Sequence, residues 1–267
     1  MVERTSANET IWRLVKGDGP LIATAVHDGH DSRDEVARHY ALDDLTRLRE
    51  EDPFTGKWTQ VAPTRIIGTH SRFEVDLNRP RDKAVYRIPA DAWGLQVWQD
   101  DPPEEIFERS LAAYDAFYAT MHKLFSEFTQ SEGKFLVYDL HTYNHRRGGP
   151  DGPEADATEN PQVNIGTGTL DRTRWAPVID TLIKQLRAFD FPGGKLDVRE
   201  NVKFRGGNWP RWIHEQFPES GCAIAIEFKK FFMDEWSGEP NRQLVDAIGE
   251  ALRSTVPAVL AALRQLQ

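Results

Sequence analysis

The sequence predicts an α/β protein, a three-layer sandwich built on a mixed, mostly parallel β-sheet. Three largely apolar runs, at residues 21–26, 135–140 and 222–228, contain no glycine or proline and are typical of strands covered on both faces. Between them, apolar residues recur at helical spacing, so strands and helices alternate along the chain. No repeat or linker interrupts this alternation, and we predict a single domain over residues 1–267.

Composition limits the class of protein and of partner. A chain of 267 residues with 39% hydrophobic residues, 8 Trp and 14 Phe can bury a full core. The net charge of -9 argues against a nucleic-acid partner. It does not argue against a small anionic substrate, because a single arginine can bind a carboxylate locally.

Cysteine usage and hydropathy indicate the compartment. Cys222 is the sole cysteine, so neither a disulfide framework nor a cysteine-rich zinc site is possible. Residues 1–10 lack the apolar core of a signal peptide, and no stretch has the length needed to cross a bilayer. We expect a soluble cytoplasmic protein without a membrane partner, and the sequence does not indicate its oligomeric state.

The predicted elements follow from local pattern. A turn at 16–20 precedes the first strand, and Pro53 ends one or two helices within 32–50. Alternation of apolar and charged residues predicts a strand at 73–77, and proline with acidic residues at 101–105 predicts the start of a long helix. The other predictions are strands at 64–69, 134–141, 162–165, 195–199 and 221–228, helices at 106–131, 174–189, 208–217 and 240–267, and a loop at 142–161 long enough to form a lid.

Two of the apolar strands end on a histidine, His27 and His141, and each is followed by a break in the pattern. A histidine that merely caps a strand is the commoner explanation for either residue alone. Ligands in α/β sheets bind beyond the carboxyl ends of strands, and imidazole is the commonest zinc ligand, so the pair favours a metal site. A catalytic zinc ion needs three protein ligands, which leaves one to be found.

Several polar residues are candidates for the rest of a site. The Glu50-Glu51-Asp52 cluster lies at a helix end, where the helix dipole disfavours acids, although a solvated charge run is the commoner explanation. Asn78 and Arg79 can clamp a carboxylate or simply form a turn. Glu227 ends a face of small residues and can point into a pocket.

Other catalytic motifs are absent from the sequence. Gly166-Thr-Gly168 is not followed by the residues of a phosphate loop, and His214-Glu215 lacks the second histidine of HExxH. There is no Gly-x-Ser-x-Gly elbow, and Cys222 lies in a core-like run, so a serine or cysteine nucleophile is disfavoured.

Four segments carry a resemblance to a known family: 26–29, 71–80, 138–141 and 225–235. The most specific is Ser71-Arg-Phe-Glu-Val-Asp-Leu-Asn-Arg-Pro80. With these segments the chain resembles the N-formylglutamate amidohydrolase (deformylase) family, which is similar in fold to zinc carboxypeptidases and to the aspartoacylase group.

The resemblance implies one Zn²⁺ per chain, or another divalent metal, bound by His27 and His141. Asp52 is our first choice for the third ligand, and His30 is the second because it stands where carboxypeptidase-like relatives have the glutamate of His-x-x-Glu. The resemblance further implies that Glu227 and Arg72 are catalytic and that Asn78 and Arg79 hold the substrate carboxylate.

The implied activity is zinc-dependent cleavage of the amide of an N-acyl amino acid, such as N-formyl-L-glutamate. Thr142 stands where such deformylases usually have serine, which leaves the acyl group open. The alternatives are a carboxypeptidase-like or other N-acyl amino acid hydrolase on the same site, and a ligand-binding relative without catalysis.

Overall fold

The computed structural model of the chain describes residues 10–266. Its strands are β1 Trp12–Val15, β2 Leu21–Ala25, β3 Thr64–Gly68, β4 Phe135–Tyr143, β5 Val163–Gly166, β6 Val198–Glu200 and β7 Gly221–Lys229. They form one sheet in the order β1-β3-β2-β4-β7-β5-β6. The β1–β3 and β5–β7 pairs are antiparallel and the other four pairs are parallel. The predicted mixed, mostly parallel sheet is therefore confirmed.

Helices cover both faces of this sheet. They are α1 Asp34–Ala37, α2 Asp44–Glu50, α3 Thr55–Trp58, α4 Glu104–Glu132, α5 Ala176–Ala188, α6 Asn208–Gln216 and α7 Arg242–Arg264. Alternate side chains of β4 enter two separate cores. Leu136, Tyr138 and Leu140 pack with α5 and α7, whereas Phe135 and Val137 pack with α4 and α6. Burial on both faces explains why this strand has an almost continuous apolar sequence.

The ends of the long helix α4 follow from its sequence. Pro103 precedes the helix, and Glu104 and Glu105 occupy the first turn, where the helix dipole favours acidic side chains. The helix ends at Gly133, whose φ of 72° is a backbone conformation that glycine adopts more readily than other residues. The stripe of apolar residues predicted at 106–131 is buried, which confirms this helix.

The predicted strand at 73–77 is wrong. The segment forms turns in which the Ser71 carbonyl accepts hydrogen bonds from the backbone N–H groups of Glu74 and Val75. Its alternation does not mark a half-exposed strand, because Glu74 and Asp76 are as buried as their apolar neighbours, at 1% and 0% exposure. Each carboxylate is satisfied by ion pairs, Glu74 with Arg33 and Asp76 with Arg72.

The two histidines do not occupy the last positions of their strands. His27 lies two residues beyond β2, and β4 continues two residues past His141 to Tyr143. The parallel register of β4 and β7 places His141 beside Glu227. Both histidines nevertheless lie near the carboxyl ends of neighbouring central strands.

The remaining predicted helices and strands are present, with bounds shifted by a few residues. Two parts of the sequence lie outside the described residues: residues 1–9, and Gln267, the last residue of the predicted C-terminal helix. Within residues 10–266, no helix is long and apolar enough to cross a membrane.

Candidate metal centre and its cavity

His27, Asp52 and His141 converge at the carboxyl ends of β2 and β4. All three side chains are buried, and one ligand atom from each lies within 4.8 Å of the other two. Asp52 Oδ2 is 2.8 Å from His141 Nδ1 and 3.3 Å from His27 Nδ1. Residues far apart in sequence thus direct two imidazole nitrogens and a carboxylate oxygen at one point.

A second carboxylate holds the far side of each imidazole. His27 Nε2 is 2.7 Å from Asp76 Oδ1, and His141 Nε2 is 3.0 Å from Asp139 Oδ2. Such carboxylate partners fix the ring orientation and tautomer of metal-binding histidines, so that the opposite nitrogen is presented to the metal. In both rings the nitrogen presented to the common point is Nδ1.

The donor set fits a divalent metal. His27 Nδ1 is buried and has no hydrogen-bond partner among the described residues, which is costly for a polar atom unless something else binds it. Two imidazoles and one carboxylate are a common ligand set of catalytic zinc sites, which keep a fourth position open. The residues present therefore fit the implied zinc ion.

Electrostatics of the group also favour a cation. Burial acts to lower the pKa of His141, but Asp139 and Asp52 outweigh it and raise that pKa well above its ordinary value. Burial acts to raise the pKa of Asp52, yet the hydrogen bond with His141 and the nearby His27 imidazole outweigh it and lower that pKa. Without a metal, a proton on the His141 imidazole supplies the positive charge that balances these carboxylates.

Asp52 is positioned by the end of α2. Its backbone N–H donates to the His27 carbonyl at 2.9 Å, and Thr142 Oγ1 donates to Asp52 Oδ1 at 3.0 Å. The buried Lys230 donates to the Glu51 carbonyl at 2.8 Å. Phe54 follows in a left-handed conformation with φ of 73°, which is strained for a residue with a side chain. The backbone is therefore held tightly on both sides of this carboxylate.

A cavity of about 250 Å³, the inner cavity, opens beside the three residues and includes them in its wall. Glu227 also lines it, on the strand next to His141. Burial raises the pKa of Glu227 to about 7, and the charges of Asp52 and Asp139 act in the same direction. A carboxyl group with a pKa near neutrality is suited to accept and return a proton.

The structure brings the predicted catalytic residue Arg72 and one of the two predicted substrate-binding residues to this cavity. Arg72 and Asn78 line it, and Asn78 is fixed by accepting the Trp209 backbone N–H at 2.7 Å. Arg79 does not line it. Its guanidinium donates to the Asp91 carbonyl at 3.2 Å and lies 5.2 Å from the centre of the Tyr86 ring.

His30, the second choice for a metal ligand, does not belong to the group. Its Nδ1 lies 2.6 Å from Glu51 Oε2, and Arg47 contacts the other ring nitrogen at 3.3 Å. The first choice, Asp52, does belong to it.

Sequence reasoning missed most of the cations that line the inner cavity: Arg49, Arg147, Arg205 and Lys230. Arg205 forms no ion pair with any residue in the described range 10–266, so its charge is available to a ligand. One signal was present in the sequence. A Cβ on Gly166 or Gly168 would lie 2.7–2.8 Å from atoms of the 205–206 segment, so the Gly166-Thr-Gly168 run allows the close approach of Arg205.

Comparison with known proteins identifies the family of the chain. The sequence model of the N-formylglutamate amidohydrolase family matches residues 19–233. None of the curated proteins compared with the chain gives a significant match.

Solved structures give matches over nearly the whole chain. The chain is similar to a crystal structure of N-formylglutamate amidohydrolase from Ralstonia eutropha JMP134, with a TM-score of 0.74, 15% identity and coverage of 96% of this chain and 99% of that one. It is also similar to a gene product of Agrobacterium tumefaciens, with a TM-score of 0.68, 17% identity and coverage of 97% and 98%. A metallo-carboxypeptidase from Burkholderia cenocepacia matches weakly, with a TM-score of 0.37, 15% identity and coverage of 92% and 57%.

Proposed function

The chain belongs to the N-formylglutamate amidohydrolase family, and from this premise we propose that it is a zinc-dependent hydrolase that cleaves the amide of N-acyl amino acids, with N-formyl-L-glutamate as the reference substrate. The observation that carries the proposal is the convergence of His27, Asp52 and His141 beside Glu227 in one cavity. Membership of the family supports an amide-hydrolysing enzyme, and the donor set supports the metal.

We assign substrate binding to polar and positively charged side chains in the wall of the inner cavity. Asn78 and Arg205 line it, and we assign the carboxylate contact to this pair. Amide and guanidinium N–H groups are suited to a carboxylate, and Arg205 has no competing ion pair among residues 10–266. Arg79, predicted for the same contact, lies 3.8 Å from Asp76 Oδ2 and would support the carboxylate that orients His27.

His27, Asp52 and His141 would hold the zinc ion, each imidazole oriented by its own carboxylate. A bound zinc ion polarises the scissile carbonyl and makes a nearby water more acidic. Glu227 accepts a proton from the attacking water and returns it to the leaving nitrogen as the C–N bond breaks. Arg72, in the wall of the cavity, stabilises the negative charge that develops on the carbonyl oxygen.

The products are the free carboxylic acid of the acyl group and the free amino acid. The proton balance closes because the proton that Glu227 takes from water is the one that it gives to the amine. Glu227 therefore ends the cycle ionised, as it began.

The test is hydrolysis of N-formyl-, N-acetyl- and N-succinylglutamate by the full chain, with and without a chelator. We expect release of glutamate from at least one of them, loss of activity with the chelator, and recovery on addition of zinc. Hydrolysis unaffected by the chelator would contradict the metal dependence. If none of the three is hydrolysed, the ligand-binding alternative remains. If a peptide assayed in the same way loses its carboxy-terminal residue, the carboxypeptidase-like alternative is favoured.

A further inference from the structure

A second cavity of about 190 Å³, the outer cavity, adjoins the inner one. The two share five lining residues: Arg49, Glu50, Trp93, Asn144 and Arg147. Leu95, Glu235 and Trp236 line the outer cavity alone. A molecule held at the candidate metal centre can therefore extend along this shared wall.

Trp93 stands at the boundary of the two cavities and is 50% exposed. Its backbone has φ of 54°, a left-handed conformation that is strained for a bulky side chain. Because the side chain is half exposed, burial in the core does not compensate for the cost of this backbone conformation. Such strain persists where the surrounding structure imposes it, and it is concentrated at binding and catalytic sites.

The packing around Trp93 fixes its ring. The Arg72 guanidinium lies 4.8 Å from the ring centre, and the Tyr86 ring lies 5.9 Å away in an edge-to-face arrangement. The indole is thus held by contacts with Arg72 and Tyr86, while half of the residue's surface remains exposed.

Trp236 supplies a second fixed ring in the outer cavity. Its Nε1 donates to the Arg146 carbonyl at 2.8 Å, and the Arg49 guanidinium lies over the ring at 4.0 Å. Rigid aromatic side chains bind planar apolar groups with little loss of conformational entropy.

The charges of the outer cavity are largely compensated. Arg49 and Arg147 both lie near the Glu50 carboxylate, at 3.6 and 3.4 Å. Glu235 accepts the backbone N–H groups of His145 and Arg146 at 2.8 and 2.6 Å. The inner cavity, by contrast, contains Arg205 without an ion-pair partner among the described residues. An anionic group is therefore favoured in the inner cavity and an uncharged one in the outer.

From these observations we infer that the preferred substrate is an N-acyl amino acid carrying an uncharged planar aromatic group, which lies in the outer cavity, where Trp93 and Trp236 form part of the wall. This inference rests on the proposed function and specifies its substrate class. The aromatic group can belong to the acyl part or to the amino-acid side chain, and both place a ring beside the amide that is cleaved.

The experiment uses two matched substrate pairs with the zinc-loaded full chain. N-benzoylglutamate against N-acetylglutamate tests a ring on the acyl side, and N-formylphenylalanine against N-formylleucine tests a ring on the side chain. In one pair we expect kcat/KM for the aromatic member to exceed that of its partner by about tenfold, which corresponds to roughly 1.4 kcal/mol.

Variants assign the preference to the outer cavity. In the pair that shows the preference, Trp236→Ala should reduce the ratio of the two kcat/KM values to about one. Trp236→Phe keeps an aromatic ring and should retain most of the wild-type ratio. Trp212→Ala is the matched control, because Trp212 is a partly buried tryptophan that lines neither cavity. It should leave the ratio unchanged.

Two results would overturn the inference while the proposed function stands: hydrolysis of N-formylglutamate with no aromatic preference in either pair, or a preference that Trp236→Ala does not reduce. If no N-acyl amino acid in the set is hydrolysed, the proposed function itself fails, and the inference fails with it. Hydrolysis of N-formylglutamate therefore distinguishes failure of the inference alone from failure of the proposed function.

Discussion

Glu227 is the residue on which the proposed chemistry depends most directly. Its side chain lines the inner cavity on the strand next to His141 but is not one of the three grouped ligand residues. Glu227→Gln removes the proton acceptor and keeps the shape of the side chain, so we expect kcat to fall about 10²–10⁴-fold while bound zinc is retained. Steady-state kinetics and metal analysis on the same preparation would check this, and turnover near the wild-type rate would contradict the role.

The same residue should make the metal-free protein less stable at high pH. Burial raises the pKa of Glu227 from 4.5 to about 7, so the folded state binds more protons than the unfolded state between these values. The cost of ionising the buried group is absent below about pH 4.5 and complete above about pH 7. We expect chelated Glu227→Gln to be more stable than chelated wild type by on the order of 1–3 kcal/mol at pH 8.

Denaturant unfolding of the two chelated proteins at pH 4.5 and pH 8 would measure this difference. The advantage of the Gln variant should nearly vanish at the lower pH, because both side chains are then neutral. An equal advantage at both pH values would point to packing instead of ionisation.

Arg205 and Arg79 can be compared as rival anchors for the substrate carboxylate. Arg205 lines the inner cavity, whereas Arg79 contacts Asp91 and Tyr86 outside it. Loss of a charge-assisted hydrogen bond should raise KM for N-formylglutamate roughly 10–100-fold in Arg205→Met. Arg79→Met should change KM much less. A larger increase in KM for Arg79→Met than for Arg205→Met would instead favour Arg79, the residue predicted from the sequence to bind the carboxylate.

Sequence reasoning found some of these residues for identifiable reasons. His27 and His141 were predictable because each ends an apolar run of the sequence and lies near the carboxyl end of a strand. Asp52 came from the resemblance, since a carboxylate at a helix end has several explanations. Arg205 could not be assigned from the sequence, because only the folded chain brings it next to Asn78 and the two histidines in one cavity.

At the scale of elements, the segment 205–207 forms part of one wall of the inner cavity. A Cβ added to Gly207 would lie 2.3 Å from Asn78 Oδ1, and that oxygen is already fixed by the Trp209 N–H. Gly207→Ala should therefore displace the Asn78 amide and lower kcat/KM about tenfold, roughly 1.4 kcal/mol, with zinc still bound.

Gly148→Ala is the control for this prediction. Gly148 also lies in a loop, but an added Cβ would meet nothing within 4 Å, so its kinetics should match wild type. Thermal unfolding of both variants would show whether the fold is intact. Wild-type kcat/KM in a folded Gly207→Ala protein would remove Asn78 from the proposed binding site.

The segment at 73–77 shows where pattern-based prediction of elements fails. Alternating apolar and charged residues normally indicate one buried and one solvated face. Here both faces are buried, because the carboxylates serve other residues: Asp76 holds His27, and Glu74 pairs with Arg33 and His70. Long helices such as α4 were predictable because a single apolar face decided them.

At the scale of the whole molecule, the fold class was predictable and the strand order was not. Alternating strands and helices are a local property of the sequence and predict a sheet covered on both faces. The order β1-β3-β2-β4-β7-β5-β6 depends on contacts between distant segments. It is this order that places β2, β4 and β7 side by side, and with them His27, His141 and Glu227.

Because the candidate ligands join the central strands to the segment after α2, zinc should stabilise the whole fold. A ligand that binds only the folded state adds about 2.7 kcal/mol at a concentration 100 times its Kd, measurable by denaturant unfolding at pH 7.5. Asp52→Ala should lose most of this gain. His30→Ala is the matched control and should keep it, since His30 lies outside the group.

The gain from zinc should also depend on pH. Burial opposes protonation of His141, but Asp139 and Asp52 outweigh it and raise the pKa of His141 above its ordinary 6.5, so a proton competes with the metal for the ring. Protonation stabilises the metal-free protein fully below pH 6.5, and this contribution is lost as the pH rises through the raised pKa. The zinc-dependent shift in midpoint should therefore be larger at pH 8 than at pH 6. An equal shift at both pH values, or an equal shift in Asp52→Ala, would mean that zinc binds elsewhere on the protein.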